Sequence, residues 1–337
     1  MTDDVSTADL SMNESPYCPV PAVLDAVRSA AARMQRYPDF RAADVGTALA
    51  KHLDVPEGEL VLGPGSAGLT QLVIQALDPG RSEVVHPALS FEGYPLMIAN
   101  ARTRSVPVPL AGLAHDLDAM AAAVTERTRC VLLCNPNNPT AAALTQAEVT
   151  EFLARIPAEV VVVIDEAYRD YVSDPGCADP GWADGLALRG AHDNVCVVRT
   201  FSKAHGLAAL RIGYAVVPAR IATSVRMASI LFYPGGLAQA AAIACLEPDV
   251  QETAARRAAE LRDTRDRLRA DLVAAGLPVA PSETNFLWLP LGPDSEGFTA
   301  RCAAAGILVR CFPGVGVRLT VGSAADNARV LAVAGSR

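Results

Sequence analysis

Val160-Val161-Val162-Val163-Ile164-Asp165 is the stretch that settles the fold class of this chain. Its apolar residues show no period-2 alternation, so a strand built from them must be covered on both faces, as in a parallel sheet flanked by helices. Similar short apolar runs recur at 59–62, 83–86, 104–107, 130–134, 195–199 and 213–217, separated by helical or turn-rich stretches such as 69–77. This alternation predicts an α/β doubly wound large domain whose parallel strands present their C-terminal ends to ligands.

Past about residue 240 the pattern changes. Residues 252–275 read as a long helix, with Leu261, Leu268 and Leu272 on one face and a solvated run of arginines and aspartates on the other. Residues 285–289 and 317–321 read as strands. The expected organisation is therefore an N-terminal segment over 1–32, Pro-rich and then helical, packing with the small domain; a large domain over 33–240; and a smaller C-terminal α/β domain over 241–337.

The chain has 337 residues, 51% hydrophobic and 20% charged, which suits a globular protein with a substantial core. No apolar stretch reaches the roughly 18 residues of a membrane span. The acidic start Met1-Thr2-Asp3-Asp4 is unlike a basic leader, so the cytoplasm is the expected compartment. A net charge of -8 disfavours a nucleic-acid partner. Cys130 and Cys134 lie in an apolar run with no second pair or histidine cluster, so the scattered cysteines read as buried thiols and no metal is expected.

Three segments deliver polar groups to the strand ends: Asn135 to Thr140, Asp165 to Tyr168, and Thr200 to Lys203. A lysine whose pKa is depressed by burial and neighbouring cations can attack a carbonyl and form a Schiff base. Thr200 and Ser202 add small hydroxyls, and Arg211, eight residues beyond the lysine, suits a phosphate. A buried Asp165 demands a positive partner, which a protonated pyridine nitrogen would supply. The ensemble points to a carbonyl cofactor carrying a phosphate, against the plainer reading of a surface Lys and Arg in a loop.

These residues carry a resemblance. Asn138-Pro139-Thr140, Asp165-Glu166-Ala167-Tyr168, and Ser202-Lys203 through Leu210-Arg211-Ile212-Gly213-Tyr214 resemble the pyridoxal-phosphate (PLP) aminotransferases of fold type I, within them the histidinol-phosphate and aromatic branch. Asn13-Glu14-Ser15-Pro16-Tyr17, Arg36-Tyr37-Pro38-Asp39, Asn285-Phe286 and Val317-Arg318-Leu319-Thr320-Val321-Gly322 extend it over most of the chain. The resemblance implies a mostly parallel seven-stranded sheet flanked by helices plus a smaller C-terminal α/β domain, pyridoxal 5'-phosphate as cofactor, and a homodimer. It also implies an amino donor and an oxo acceptor as substrates, with glutamate and 2-oxoglutarate as the donor pair.

Residue by residue, it implies that Lys203 carries the cofactor and shuttles the proton. Asp165 would meet the pyridine nitrogen, Asn138 and Tyr168 the ring oxygen, and Phe91 the ring face. Thr200, Ser202, Arg211 and the backbone at Ser66 and Ala67 would hold the phosphate, together with Tyr37 from the other subunit. Arg318 would take the substrate's carboxylate or phosphate, with Asn13 and Tyr17 of the opening segment beside it. His205 stands where this branch more usually has an apolar or aromatic residue; it is expected either to reach the substrate or to be a hydrogen-bonded structural histidine. Glu14 and Glu92 are further candidates to face a cationic substrate group.

Some residues depart from the family's pattern: Ala67-Gly68 replace acidic residues, Ala141 a glycine, and Phe232-Tyr233-Pro234-Gly235-Gly236 introduces two glycines near the pocket. They keep open a PLP-dependent lyase, decarboxylase or cyclase. Gly63-Pro64-Gly65-Ser66-Ala67-Gly68 also matches the dinucleotide fingerprint, so a nicotinamide-dependent dehydrogenase is the remoter rival. That reading needs an acid at the end of the next strand, which instead ends Val84-Val85-His86-Pro87, and a single-phosphate cradle is expected. A PLP-binding regulator lacks support from any helix-turn-helix extension or basic patch.

Overall fold

Seven of the apolar runs assemble into one sheet in the computed structural model, which describes residues 7–77, 82–173 and 181–335. The strands are β1 (Leu60–Gly63), β2 (Glu83–Pro87), β3 (Arg104–Val108), β4 (Thr128–Cys134), β5 (Val161–Asp165), β6 (Val195–Thr200) and β7 (Gly213–Val216). Their spatial order is β1-β7-β6-β5-β4-β2-β3. Pairing is parallel except at β7, which runs antiparallel to both β1 and β6. The expected mostly parallel seven-stranded sheet is thus present.

Both faces of β5 are dry, as its unbroken apolar run requires. Val161 and Val163 pack with Leu132, Cys196 and Val198 beneath the helices Gly65–Ala76, Tyr94–Asn100 and Ala219–Ala228. Val162 and Ile164 pack with Val131, Leu133, Val197 and Phe152 on the opposite side. Phe152 lies on the helix Gln146–Leu153, which begins at a capping box: the Thr145 side chain accepts from the Glu148 N–H, and the Glu148 carboxylate accepts from the Thr145 N–H.

The C-terminal region builds a second, three-stranded antiparallel sheet from β8 (Phe286–Leu289), β9 (Arg310–Phe312) and β10 (Gly316–Thr320), with β10 in the centre. Alternation divides its side chains cleanly. Leu287, Leu289, Val317 and Leu319 join Leu268, Leu272, Phe298 and Val330 in a core shared with the long helix Pro248–Ala274. Phe286, Trp288, Arg310, Phe312, Arg318 and Thr320 take the other face. The N-terminal chain touches both regions. Ala8–Asp9 pairs in parallel with Ile307–Leu308, whereas the helix Pro21–Ala31 seats Val23 among Val45, Leu49, Phe201 and Ala238.

Among the described residues no helix is long and apolar enough to cross a membrane. Cys130, Cys134 and Cys196 are buried, and burial raises all three thiols, Cys134 to about 12.

Candidate active site

The C-terminal ends of β4, β5 and β6 bring the polar segments together. Asp165 closes β5 and is buried, and its carboxylate accepts from the Tyr94 hydroxyl at 3.2 Å and from the Ala167 N–H at 3.2 Å. Among the described residues no basic side chain forms an ion pair with it. Burial therefore pushes its carboxyl up to about 6, against the pull of the Tyr94 hydrogen bond. Glu166 leaves the chain on the opposite side, where it accepts from Arg199 Nε and from the Gly185 N–H, each at 2.7 Å. The two acids part as strand alternation requires.

Lys203 follows β6, and its Nζ donates to the carbonyls of Asn13 at 2.8 Å and Met12 at 3.3 Å. The amine also lies 5.6 Å from the centre of the Tyr168 ring. Burial, then the nearby Arg318 and Arg211 cations, lower its pKa to about 8, although Glu14 and Asp165 oppose them. An amine with that pKa is still mostly protonated near neutral pH, but its neutral, nucleophilic fraction is far larger than that of an ordinary lysine.

Between β1 and the helix Gly65–Ala76 the backbone makes an anion cradle. The helix has no side-chain cap, so its first N–H groups are free to meet an anion. Gly65 has φ +72°, and a Cβ there would lie 3.0 Å from Arg211 Nη2 and 3.6 Å from Thr200 Oγ1. The space that a side chain would fill is therefore walled by a guanidinium and a hydroxyl. Thr200 Oγ1 donates to Ser202 Oγ at 2.9 Å, and Arg211 Nη1 approaches that same oxygen at 3.4 Å. The donors converge as a phosphate requires.

Arg318 lies on β10, the central strand of the small sheet. Its Nη1 donates to Asn138 Oδ1 at 2.5 Å and its Nη2 to the Ser11 carbonyl at 2.6 Å. The guanidinium lies 5.6 Å from the Phe286 ring centre, and among the described residues its buried Nε has no hydrogen-bond partner. A planar cation with a spare donor in a buried site can receive a carboxylate. Asn13, with φ 55°, links the two sides: its Nδ2 donates to the Tyr168 hydroxyl at 2.9 Å, while Thr320 Oγ1 accepts from its N–H at 3.0 Å.

Three other candidates stand further out. Phe91 is half-buried and meets Tyr94 edge-on at 5.5 Å. Tyr17 packs beside Tyr168 and Phe286, with Arg257 over its ring and Glu260 at its hydroxyl. Tyr37 is 83% exposed and stacks on Phe232 at 4.7 Å. That contact places the Phe232–Gly236 loop beside the cradle, since the Tyr233 hydroxyl donates to the Arg211 carbonyl.

His205 is not brought to this cluster. Its ring packs against Phe201 at 5.2 Å and faces Gln251, lining a cavity of about 370 Å³ with Glu166, Arg199 and Tyr214. Glu92, a candidate for a cationic substrate group, instead pairs with Arg310. Tyr94 packs in the core and also turns its hydroxyl to Asp165; a lone phenol beside the apolar stretch Pro95-Leu96-Met97-Ile98 is the signal that could have found it.

The family model for aminotransferase class I and II matches residues 6–334. The chain belongs to this family. An aromatic amino acid aminotransferase from Thermobifida fusca (strain YX) is 47% identical to it, over 98% of this chain and 90% of that protein. One from Streptomyces coelicolor is 43% identical, over 94% and 87% respectively. Among solved structures, histidinol-phosphate aminotransferase from Sinorhizobium meliloti in complex with pyridoxal-5'-phosphate matches with a TM-score of 0.89 at 29% identity, covering 98% of this chain and 90% of that one.

This aminotransferase therefore uses pyridoxal 5'-phosphate, and the dinucleotide reading of residues 63–68 falls away. Its own residues fit the group on two counts: a buried carboxylate that lacks a cationic partner, and a glycine-lined cradle facing Arg211 and Thr200.

Proposed function

We propose that this aminotransferase takes an aromatic amino acid as amino donor, with 2-oxoglutarate and glutamate as the second pair, and that it works as a homodimer. The observation that carries the reading of the site is the convergence on residues 11–13 of a buried arginine, Arg318, which donates to the Ser11 carbonyl, and a lysine lowered to about 8, Lys203, which donates to the Met12 and Asn13 carbonyls. The names of the relatives that are 41% to 47% identical support the aromatic substrate.

Pyridoxal phosphate supplies an electrophilic carbonyl for the amine and a protonated ring that accepts the electron pair released at Cα. Asp165 holds the proton on the ring nitrogen, because a buried carboxylate next to that nitrogen is stabilised only while the nitrogen is charged. Asn138 and Tyr168 orient the ring through its oxygen, and Phe91 covers one face. Thr200, Ser202, Arg211 and the backbone at Ser66 and Ala67 anchor the phosphate. Arg318 would bind the substrate carboxylate and so present Cα to Lys203, whose amine would take the proton from Cα. Asn13 holds Lys203 by its carbonyl and Tyr168 by its amide.

Steady-state comparison of phenylalanine, tyrosine and histidinol phosphate as amino donors tests the substrate. An aromatic acid should exceed histidinol phosphate in kcat/KM by about tenfold or more, the discrimination that one unmatched charged group produces; the reverse order overturns the aromatic reading.

Dimerisation is supported by Met34, Tyr37, Met227, Ile230 and Leu231, apolar side chains between 69% and 83% exposed in the turn after the helix Pro21–Ala31 and at the end of the helix Ala219–Ala228 with the chain that follows it. Tyr37 from one subunit would reach the cofactor phosphate of the other. Mixing inactive Lys203→Ala chains with weakened Tyr37→Phe chains should then raise activity, because one site per heterodimer is intact. A fully active monomer in sedimentation is the contrary result.

A further inference from the structure

Two arginines stand side by side on the face of the small sheet from which Arg318 meets Asn138. Arg310 on β9 is the direct cross-strand partner of Arg318 on β10, so both side chains leave the sheet on the same face. Their surroundings differ. Arg318 is 6% exposed and held by Asn138 and Ser11, whereas the Arg310 side chain is 48% exposed. Arg310 is occupied by a single group, the Glu92 carboxylate, in a bidentate pair with Nη2–Oε1 at 2.5 Å and Nε–Oε2 at 3.0 Å.

Glu92 belongs to the large domain. It follows Phe91 in the link between β2 and the helix Tyr94–Asn100, so the ion pair ties that link to strand β9 of the small sheet. The Glu92 side chain is itself 41% exposed, and an ion pair this accessible to water is weakly held. It can be exchanged for another anion without leaving a buried charge unpaired. Arg318 already accounts for one carboxylate. Arg310, its cross-strand neighbour, is the next cation on that face, and release from Glu92 would leave it free for a second anion.

We propose that Glu92 is a specificity-determining residue that screens Arg310: the closed pair presents a neutral rim to an uncharged side chain, and a substrate with an anionic far end must displace the Glu92 carboxylate to engage Arg310. The inference rests on the aminotransferase acting on an aromatic acid and a dicarboxylate in turn. One rim then serves both, because the dicarboxylate brings the anion that replaces Glu92 and the aromatic acid leaves the pair closed.

The test uses the purified holoenzyme and its Glu92→Gln variant, with KM measured for glutamate and for phenylalanine at low and high salt. KM for glutamate should fall about threefold to fivefold, the scale of an exposed ion pair, and KM for phenylalanine should change by less than about twofold. The gain should shrink at high salt, where exposed charges are screened. Arg310→Ala should act in the opposite sense, raising KM for glutamate, and should cancel the gain when combined with Glu92→Gln. Equal changes for both substrates, or none for either, overturn the screen. A wild-type preference for histidinol phosphate over phenylalanine would overturn the aromatic reading separately, because the glutamate response to Glu92→Gln is read independently of it.

Discussion

Lys203→Ala is expected to lower kcat by about 10³-fold or more, the scale of a lost general acid–base group, while the protein still binds cofactor through its phosphate cradle. Lys203 is the lysine positioned for this work: it follows β6, is held by the Asn13 and Met12 carbonyls, and has its pKa lowered to about 8 first by burial and then by Arg318 and Arg211. Lys51, the other lysine of the chain, lies exposed on the helix Ala43–Leu53. Borohydride reduction of the holoenzyme followed by peptide mapping should place the pyridoxyl group on Lys203, and a label on Lys51 would refute the assignment. The sign of the pKa shift adds a pH dependence. Only the neutral amine attacks a carbonyl, so the rate at which the cofactor-free protein takes up pyridoxal phosphate should rise with pH and level off above about 8. A rate independent of pH between 6 and 9, about a unit or two either side of that value, would show that the amine is not the attacking group.

Asp165→Asn is expected to cost about 10² to 10³ in kcat, the range seen when a preorganised charge partner is removed from a reacting centre. An amide fills the same space and can still accept from Tyr94, but it cannot hold a proton on the ring nitrogen by charge. Loss should appear in Cα proton transfer, read as a larger kinetic isotope effect with α-deuterated substrate, and cofactor affinity should change much less. Turnover near the wild-type rate in this variant would show that no charge at this position is needed. Tyr94→Phe provides the matched control, since it removes the hydroxyl at 3.2 Å and keeps the carboxylate.

Much of this architecture is legible in the sequence because its causes are local. A run such as 160–164 carries its own burial requirement, and all seven runs are strands of one sheet, with ends shifted by a residue or two. Segments at the ends of parallel strands must converge, so Asn138, Asp165, Thr200 and Lys203 group together from their positions along the chain alone. The small sheet is less legible. Its strand Arg310–Phe312 is too short to show a period, whereas Phe286–Leu289 and Gly316–Thr320 are long enough to be recognised.

What the chain's order of residues determined, then, was the fold class, the cofactor's chemistry and the segments that meet around it, because burial periodicity and strand-end polarity are written within a few residues. Tertiary structure alone decided which side chains touch. Lys203 is held by Asn13, 190 positions away; Arg318 meets Asn138 across 180; and Asp165 meets Tyr94 across 71. His205, two residues from Lys203, turns instead toward Phe201 and Gln251. Direction at a turn depends on backbone dihedrals and on which neighbours offer packing, and neither is encoded in spacing. The Glu92–Arg310 pair joins residues 218 positions apart that only chain folding can bring together, which is why neither charge could be assigned its partner from the sequence.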